Sequence, residues 1–204
     1  MRSGQTLIEA IIAVAIIGVA LIGFLSQATF NMISAKDSIN RSFALNLARE
    51  GVEVVRHVRD SNWLQGCFDP ADTDNCSYWN TGLSDGKNYR ARPDFDSVNQ
   101  GWELSFVNYD FDDCVERGVC RVYKDRNGFY AGLVPRGDPS DYYRMVEILP
   151  LCKTKYGCGR DDICNSGESC PVEQIGVHII SHVRWFEGRD ARNITLQDKL
   201  YNWR

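Results

Sequence analysis

Residues 1–25 read MRSGQTLIEAIIAVAIIGVALIGFL, and this stretch decides the architecture of the 204-residue chain. After a basic start at Arg2, the sequence is apolar from Leu7 to Leu25 with the single exception of Glu9. The run is nineteen residues long, which is close to the roughly 20 that an α-helix needs to cross a bilayer. We therefore predict a membrane-spanning helix at the N-terminus.

A carboxylate inside an apolar helix requires a partner. An acidic side chain near the centre of a spanning helix costs about 2.5–3.5 kcal/mol on insertion scales, and one near the end, as Glu9 is, costs less. The natural partner is a cation at the same depth. Cleavage after Gly4 would create one, because the new amino terminus on Gln5 lies four residues from Glu9. That amine could belong to a neighbouring copy of the protein.

The segment from Gly4 to Glu9 resembles the class III signal of type IV pilins and pseudopilins. In that signal a short basic leader ends in Gly, and an X-Thr-Leu-Ile-Glu segment opens the apolar helix. The resemblance implies that a prepilin peptidase cleaves after Gly4 and methylates the new terminus at Gln5. It also implies that Glu9 neutralises the N-terminus of a neighbouring subunit during filament assembly. The family usually begins its mature chain with Phe or Met, whereas this chain would begin with Gln5.

Two simpler interpretations of the N-terminus compete with this one. The small residues at Ser26-Gln27-Ala28 fit a signal-peptidase site, and cleavage there would release a secreted domain. The apolar region of a signal peptide is usually about 7–15 residues long, however, which is shorter than this run. A plain membrane anchor is the other possibility, and it gives no reason for Glu9.

The helix is predicted to continue beyond the membrane zone as an amphipathic segment, because apolar residues recur there at near-helical spacing. Gly51 interrupts the pattern and costs about 1 kcal/mol relative to Ala. The stripe needs a partner surface and consists of Phe30, Ile33, Phe43, Leu47, Val54 and Val58.

The C-terminal part of the chain carries strand patterns without alternating helices, which argues against a parallel sheet. Asn127-Gly128 is a strong hairpin signal. The predicted fold is α+β, with a long N-terminal helix packed on an antiparallel sheet of four to six strands and with disulfide-clipped loops. The predicted divisions are a leader (1–4), a membrane and assembly helix (5–28) and a globular head (29–204), which comprises an amphipathic helix (29–59), a loop (60–101) and the sheet (102–204).

Two further segments are similar to minor pilins of the PilV type. One is Asn46–Glu53, where the helix leaves the membrane zone, and the other is the closing segment Ile194–Arg204. The resemblance therefore covers the helix and the final strand and implies the same helix-on-sheet architecture.

Eight cysteines form the second strong signal. An even number at loop-like spacing after an export signal indicates disulfides in an oxidising compartment. Loops of about six to nine residues close at small entropic cost, so we expect the two N-terminal pairs to bond internally. The pairing of the last four cysteines is left open by the sequence. In chain order the close pairs are Cys67/Cys76, Cys114/Cys120, Cys152/Cys158 and Cys164/Cys170.

No catalytic motif is present in the sequence. His178 and His182 would share one face of a strand and could bind a metal, but ordinary cross-strand histidines are the better interpretation. Two Asp-rich stretches, 69–75 and 110–113, leave calcium open as an alternative. The net charge of −4 gives no basic footprint for nucleic acid. We expect no catalytic residue, no cofactor and no metal.

The sequence thus predicts a structural filament subunit, a minor pilin or pseudopilin, and not an enzyme. Its expected partners are other pilin subunits through the N-terminal helix, the prepilin peptidase, the assembly machinery and the membrane. Its expected location is the inner membrane, single-pass, with an extracytoplasmic head that later enters a filament. The alternative is a membrane-tethered extracytoplasmic binding module whose ligand site is held by the disulfide loops.

Overall fold

The structure is a computed structural model, and it divides into two compact units, Met1–Phe43 and Ala44–Arg204, termed the N-terminal and C-terminal units below. The residues that it describes are 3–66, 79–84, 88–96, 101–125, 128, 130–132, 137–153, 163–164, 170 and 173–202.

One helix, α1, runs from Ser3 to Gly66. Its sequence contains no proline, so no residue removes a backbone donor from the helical ladder. The helix extends past the predicted end at residue 59 by about two turns.

Among the described residues, seven strands form one sheet in the C-terminal unit, one more than the predicted four to six. They are β1 (Arg90–Asp96), β2 (Gly101–Phe106), β3 (Arg121–Lys124), β4 (Tyr130–Ala131), β5 (Asp138–Cys152), β6 (Gln174–Glu187) and β7 (Asp190–Tyr201). The path through the sheet is β2-β1-β5-β6-β7, while β3 pairs with the first half of the long strand β5 and β4 pairs with β3. The pairings are antiparallel, which confirms the predicted fold class.

Strand β1 corrects the prediction of an irregular loop over 60–101. Its sequence, RARPDFD, is charged and carries a proline, which is why it does not look like a strand. Pro93 lacks an N–H, but the pairing of β1 with β5 covers only Arg90 and Ala91, so no ladder bond is lost there. The carbonyl of Pro93 instead accepts from the N–H of Gly132 at 3.3 Å.

A short helix, α2 (Phe111–Glu116), was not predicted from the sequence. Asp110 is its N-cap and accepts a hydrogen bond from the N–H of Asp113 at 2.8 Å. The Asp-rich stretch that suggested a turn or a calcium loop therefore begins a helix, because an Asp at the N-cap satisfies an otherwise unpaired backbone donor.

The core of the C-terminal unit lies between α1 and one face of the sheet. Leu47 and Val54 of the predicted stripe are buried, as expected, and Val58 packs at the edge of the main core cluster. Phe43 is half-buried, and Phe30 and Ile33 are exposed. The buried face of the helix follows the spacing i, i+3, i+4, i+7, i+8, i+10 and i+11 and consists of Ala44, Leu47, Ala48, Gly51, Val52, Val54 and Val55.

We predict that Leu47→Ala lowers the free energy of unfolding by about 2–5 kcal/mol, because the substitution removes a buried side chain and leaves a cavity. Leu47 is 3% exposed, whereas Leu64 on the same helix is 69% exposed. Leu64→Ala is thus the matched control and should stay within about 0.5 kcal/mol of wild type. Urea unfolding of the full chain in detergent, followed by tryptophan fluorescence, measures both. Equal midpoints would mean that α1 does not dock through Leu47.

Candidate assembly site

The N-terminal part of α1 is apolar and uncovered. The stretch that begins at Leu7 contains a window long and apolar enough to cross a membrane, and none of that window is buried. This is the one such helix among the residues that the structure describes. The large apolar side chains that are more than half exposed here are Leu7, Ile8, Ile11, Ile12, Val14, Ile16, Ile17, Val19, Leu21, Ile22, Phe24 and Leu25.

Glu9 lies in this stretch and is itself exposed. It is the sole charged residue of the sequence between Arg2 and Lys36. Gly4 and Gln5 belong to the helical backbone one turn before it. Four residues of α-helix rise about 6 Å, so the backbone nitrogen of Gln5 and the carboxylate of Glu9 occupy neighbouring depths along the helix.

Two glycines interrupt the large side chains of this segment. A Cβ at Gly18 or Gly23 would meet no atom within 4 Å. The backbone at both positions is therefore accessible for close approach by another helix, which is the kind of contact that small residues permit within membranes.

Within the C-terminal unit, α1 lies close against the sheet at Gly51. A Cβ there would lie 2.6 Å from Oγ of Ser181 and 3.0 Å from Cγ1 of Val146. Such distances are too short for a side chain, so the glycine that interrupts the sequence pattern is required by packing. This requirement outweighs its cost in helix propensity.

Arg144 of β5 is buried beneath α1, with 1% of its surface exposed. Its guanidinium donates to the carbonyls of Leu47 and Pro93, both at 3.3 Å, and forms an ion pair with Glu50 at 3.0 Å. The ring of Trp102 lies 5.9 Å from the guanidinium carbon. The cation is thus paired and hydrogen-bonded through its two terminal nitrogens, as a buried charge must be, while its Nε has no hydrogen-bond partner among the described residues. Its contacts link α1 to two strands.

Two arginines of α1 itself contact the last strand, β7. Arg56 bridges Glu53, one turn earlier on the helix, and Asp198 of β7, the latter at 2.8 Å. Arg59, which is 6% exposed, donates to the carbonyl of Tyr201 at 3.3 Å. From Arg56 to Arg59 the partners on β7 change from Asp198 to Tyr201, so α1 and β7 run in the same direction where they meet.

The disulfide Cys114–Cys120 has the predicted pairing and closes the turn after α2. Among the four cysteines whose pairing the sequence left open, Cys152 bonds to Cys170, with a sequence separation of eighteen residues. Cys164 is also disulfide-bonded, and the sequence's Cys158 lies outside the described residues, as do Cys67 and Cys76. The sulfurs of Cys152, Cys164 and Cys170 lie close together, but oxidised sulfur is not the thiolate that metals bind.

The other candidate ligands have structural partners. Asp112 forms an ion pair with Arg184 at 2.6 Å, while Asp69, Asp72 and Asp74 lie outside the described residues. His182 stacks near the ring of Phe111, with centroids 5.4 Å apart, and burial lowers its pKa below the ordinary value. Burial likewise lowers the pKa of His178. Both histidines therefore favour the neutral form at neutral pH.

A small cavity of about 120 Å³ lies beside the disulfide of Cys170. Asn80, Tyr89, Gln174 and Val177 are among the residues that line it. Sites for drug-sized ligands usually enclose about 300–1,000 Å³, so this space suits a few waters better than a cofactor.

No protein-family model, no curated protein and no solved structure matches this chain.

We predict that Glu50→Gln lowers the free energy of unfolding by about 1–3 kcal/mol, because it removes the charge opposite a buried guanidinium. Glu53 is the matched control, since its side chain is 60% exposed and its partner Arg56 keeps Asp198. Glu53→Gln should cost under about 1 kcal/mol. Denaturant unfolding of the two variants in detergent makes the comparison. A smaller loss for Glu50→Gln than for Glu53→Gln would show that Glu50 does not stabilise the buried Arg144.

Proposed function

We propose that this chain is a structural subunit of a type IV pilus or of a related secretion filament, a pilin-like protein that assembles through its N-terminal helix. The observation that carries the proposal is the exposed apolar stretch from Leu7 to Leu25 with Glu9 as its lone charge. The role that we assign to the protein is mechanical and not catalytic.

The exposed surface of α1 is suited to two environments in succession. In the bilayer, lipid covers the apolar side chains; in a filament, the helices of other subunits would replace the lipid. Helix association in an apolar environment depends on close packing rather than on hydrophobic transfer, and the open backbone at Gly18 and Gly23 favours it.

Glu9 supplies specificity for this assembly. Two opposite charges about 4 Å apart attract by roughly 4 kcal/mol at an effective dielectric near 20. That attraction offsets the burial cost of the carboxylate and favours the one axial offset that places Glu9 against the amino terminus of a neighbour. The amine is available after cleavage at Gly4, so processing and assembly become linked steps.

The C-terminal unit fits an extracytoplasmic location. Disulfides persist in oxidising compartments such as the periplasm and the cell surface, and Cys114–Cys120 and Cys152–Cys170 are both formed. A single apolar helix at the N-terminus is consistent with single-pass anchoring in a membrane. Incorporation of the chain into a filament is part of the proposal.

The processing step is tested by Gly4→Val in cells that contain a prepilin peptidase. The added Cβ beside the scissile bond should leave the chain at full length, whereas wild type should begin at Gln5. Gly18→Val is the matched control, since a Cβ there meets no atom within 4 Å, and it should be cleaved normally. Intact mass spectrometry measures all three chains. Wild type that begins after Ala28, or that keeps Met1, would refute the proposal.

The assembly step is tested by Glu9→Gln, which keeps the shape of the side chain and removes its charge. We expect normal cleavage and membrane insertion but poor recovery of this subunit in sheared filaments, because the attraction to the neighbouring amine is lost. Asp37→Asn is the control, since Asp37 is exposed on α1 beyond the apolar run, and its recovery should match wild type. Equal recovery of Glu9→Gln and wild type would show that Glu9 makes no assembly contact.

A further inference from the structure

The last strand, β7, has one edge that no strand of the described residues covers. Among the described residues it pairs with β6 alone. The N–H of Asn202 donates to the carbonyl of Ile175 at 2.7 Å, and this bond identifies which residues of β7 are hydrogen-bonded to β6. In an antiparallel pair, alternate residues bond to the partner, so the even-numbered residues face β6. The backbone groups of the odd-numbered residues point away, and their side chains are exposed: Ala191, Asn193, Thr195, Gln197, Lys199 and Tyr201.

The middle of this edge lacks the features that usually block pairing with another chain. Such features are proline, bulges, shortness and charged side chains, especially lysine. The charged residues of β7 lie outside the stretch 193–197, and they are Asp190, Arg192, Asp198 and Lys199. β7 is twelve residues long and contains no proline, and its register with β6 runs without a shift from Asp190 to Tyr201. Two outward groups near the end of the strand are already bonded: the N–H of Lys199 to the carboxylate of Asp198 at 2.8 Å, and the carbonyl of Tyr201 to the guanidinium of Arg59 at 3.3 Å. The backbone from Asn193 to Gln197 forms the central part of the edge.

The side chains of β7 are complementary to themselves about Thr195. When a second β7 is placed antiparallel with Thr195 opposite Thr195, Arg192 lies opposite Asp198, and Ile194 lies opposite Leu196. On the other face, Asn193 lies opposite Gln197. Each of these contacts occurs twice because the arrangement is twofold.

The outward backbone groups of β7 are placed correctly for hydrogen bonds in this register. Thr195, Asn193 and Gln197 are outward-pointing residues, so they form the hydrogen-bonded pairs. The charged and apolar pairs then fall at the non-hydrogen-bonded positions, where side chains approach most closely. Cross-strand pairs of opposite charge and apolar pairs both stabilise a sheet.

We propose that β7 is a self-association edge, which pairs antiparallel with β7 of a second copy of this chain about a twofold axis at Thr195. The pairing joins two sheets into one and places both copies of residues 44–66 on the same face of it. The twofold axis reverses the direction of that helical segment in the second copy.

The edge is separate from the filament contact proposed above, because the pairing residues lie on β7 whereas the filament contact lies on residues 7–25 of α1. Failure of this pairing would leave recovery of the subunit in sheared filaments unchanged.

A charge exchange on the full chain in detergent provides the decisive test. Arg192→Asp and Asp198→Arg should each self-associate about tenfold more weakly than wild type, because each places like charges opposite each other. Mixed together, the two variants should form a heterodimer, since both cross-strand pairs become complementary again. Analytical ultracentrifugation with one variant labelled measures this. N-terminal helix contacts in the micelle cannot produce such a pattern, because both variants keep that helix intact.

A backbone test avoids the ion pair that Asp198 makes with Arg56. Thr195→Pro removes an outward N–H in both copies and should weaken the dimer about a hundredfold, tenfold for each lost bond. Thr195→Val is the matched control, because it keeps the N–H and loses the hydroxyl that lies 3.4 Å from Nδ1 of His182. Thermal melting of each variant checks that the C-terminal unit still folds, because a melting temperature near that of wild type means that the fold is kept.

Cross-linking fixes the register. The Cα atoms of a hydrogen-bonded antiparallel pair are about 5.5 Å apart, which a disulfide spans. Thr195→Cys should form a covalent dimer under mild oxidation, whereas Ala191→Cys on the same edge should not, because its partner position is Lys199. A wild-type chain that stays monomeric, a dimer unaffected by Thr195→Pro, or failure of the two charge variants to combine would each overturn the proposal.

Discussion

The close approach of α1 to the sheet at Gly51 is the constraint on which the C-terminal unit depends. Gly51 has no Cβ, so the helix can lie directly against the side chains of Ser181 and Val146. This short separation lets Arg144 reach the carbonyl of Leu47. Ala48 and Ala44, both fully buried, extend this narrow contact about one and two turns before Gly51. A larger residue along this line would move the helix outward and separate the buried guanidinium from its acceptors.

The same helix meets two different requirements along its length. From Leu7 to Leu25 the apolar side chains surround the helix, so no face is reserved for the sheet. From Ala44 onward the buried residues form one stripe, and the charged residues Arg49 and Glu53 occupy the exposed side. The change from one pattern to the other follows directly from the sequence, because hydrophobic periodicity reports how many sides of a helix are covered.

Local pattern therefore predicted α1, the antiparallel sheet and the burial of Leu47 and Val54. It failed where a residue's role depends on a distant partner. Pro93 and the alternating charges of β1 disguised a strand whose ladder to β5 ends before the proline. Gly51 looked like a defect of the helix because Ser181 and Val146, the residues that require it, are far away in sequence.

The cysteines and the β7 edge likewise show that local sequence does not reveal a role that depends on distant residues. The short Cys114–Cys120 loop was predictable from entropy, but Cys152–Cys170 was not, since four cysteines close together permit several pairings. The candidate assembly residues, Gly4, Gln5 and Glu9, are predicted from the sequence alone and stay a prediction. The self-complementary edge of β7 was not, because it requires knowledge of which strand ends the sheet and which backbone groups point outward.

The absence of a covalent link between α1 and the sheet, among the described residues, has a mechanical consequence. The bonds Cys114–Cys120 and Cys152–Cys170 both close loops on the sheet side. A pull on residue 44 along the helix axis would load the contacts of Arg144, Arg56 and Arg59 together, in shear, because they are spread along the helix. A pull perpendicular to that axis would peel the helix away one turn at a time. The C-terminal unit is therefore strongest against tension along its own helix.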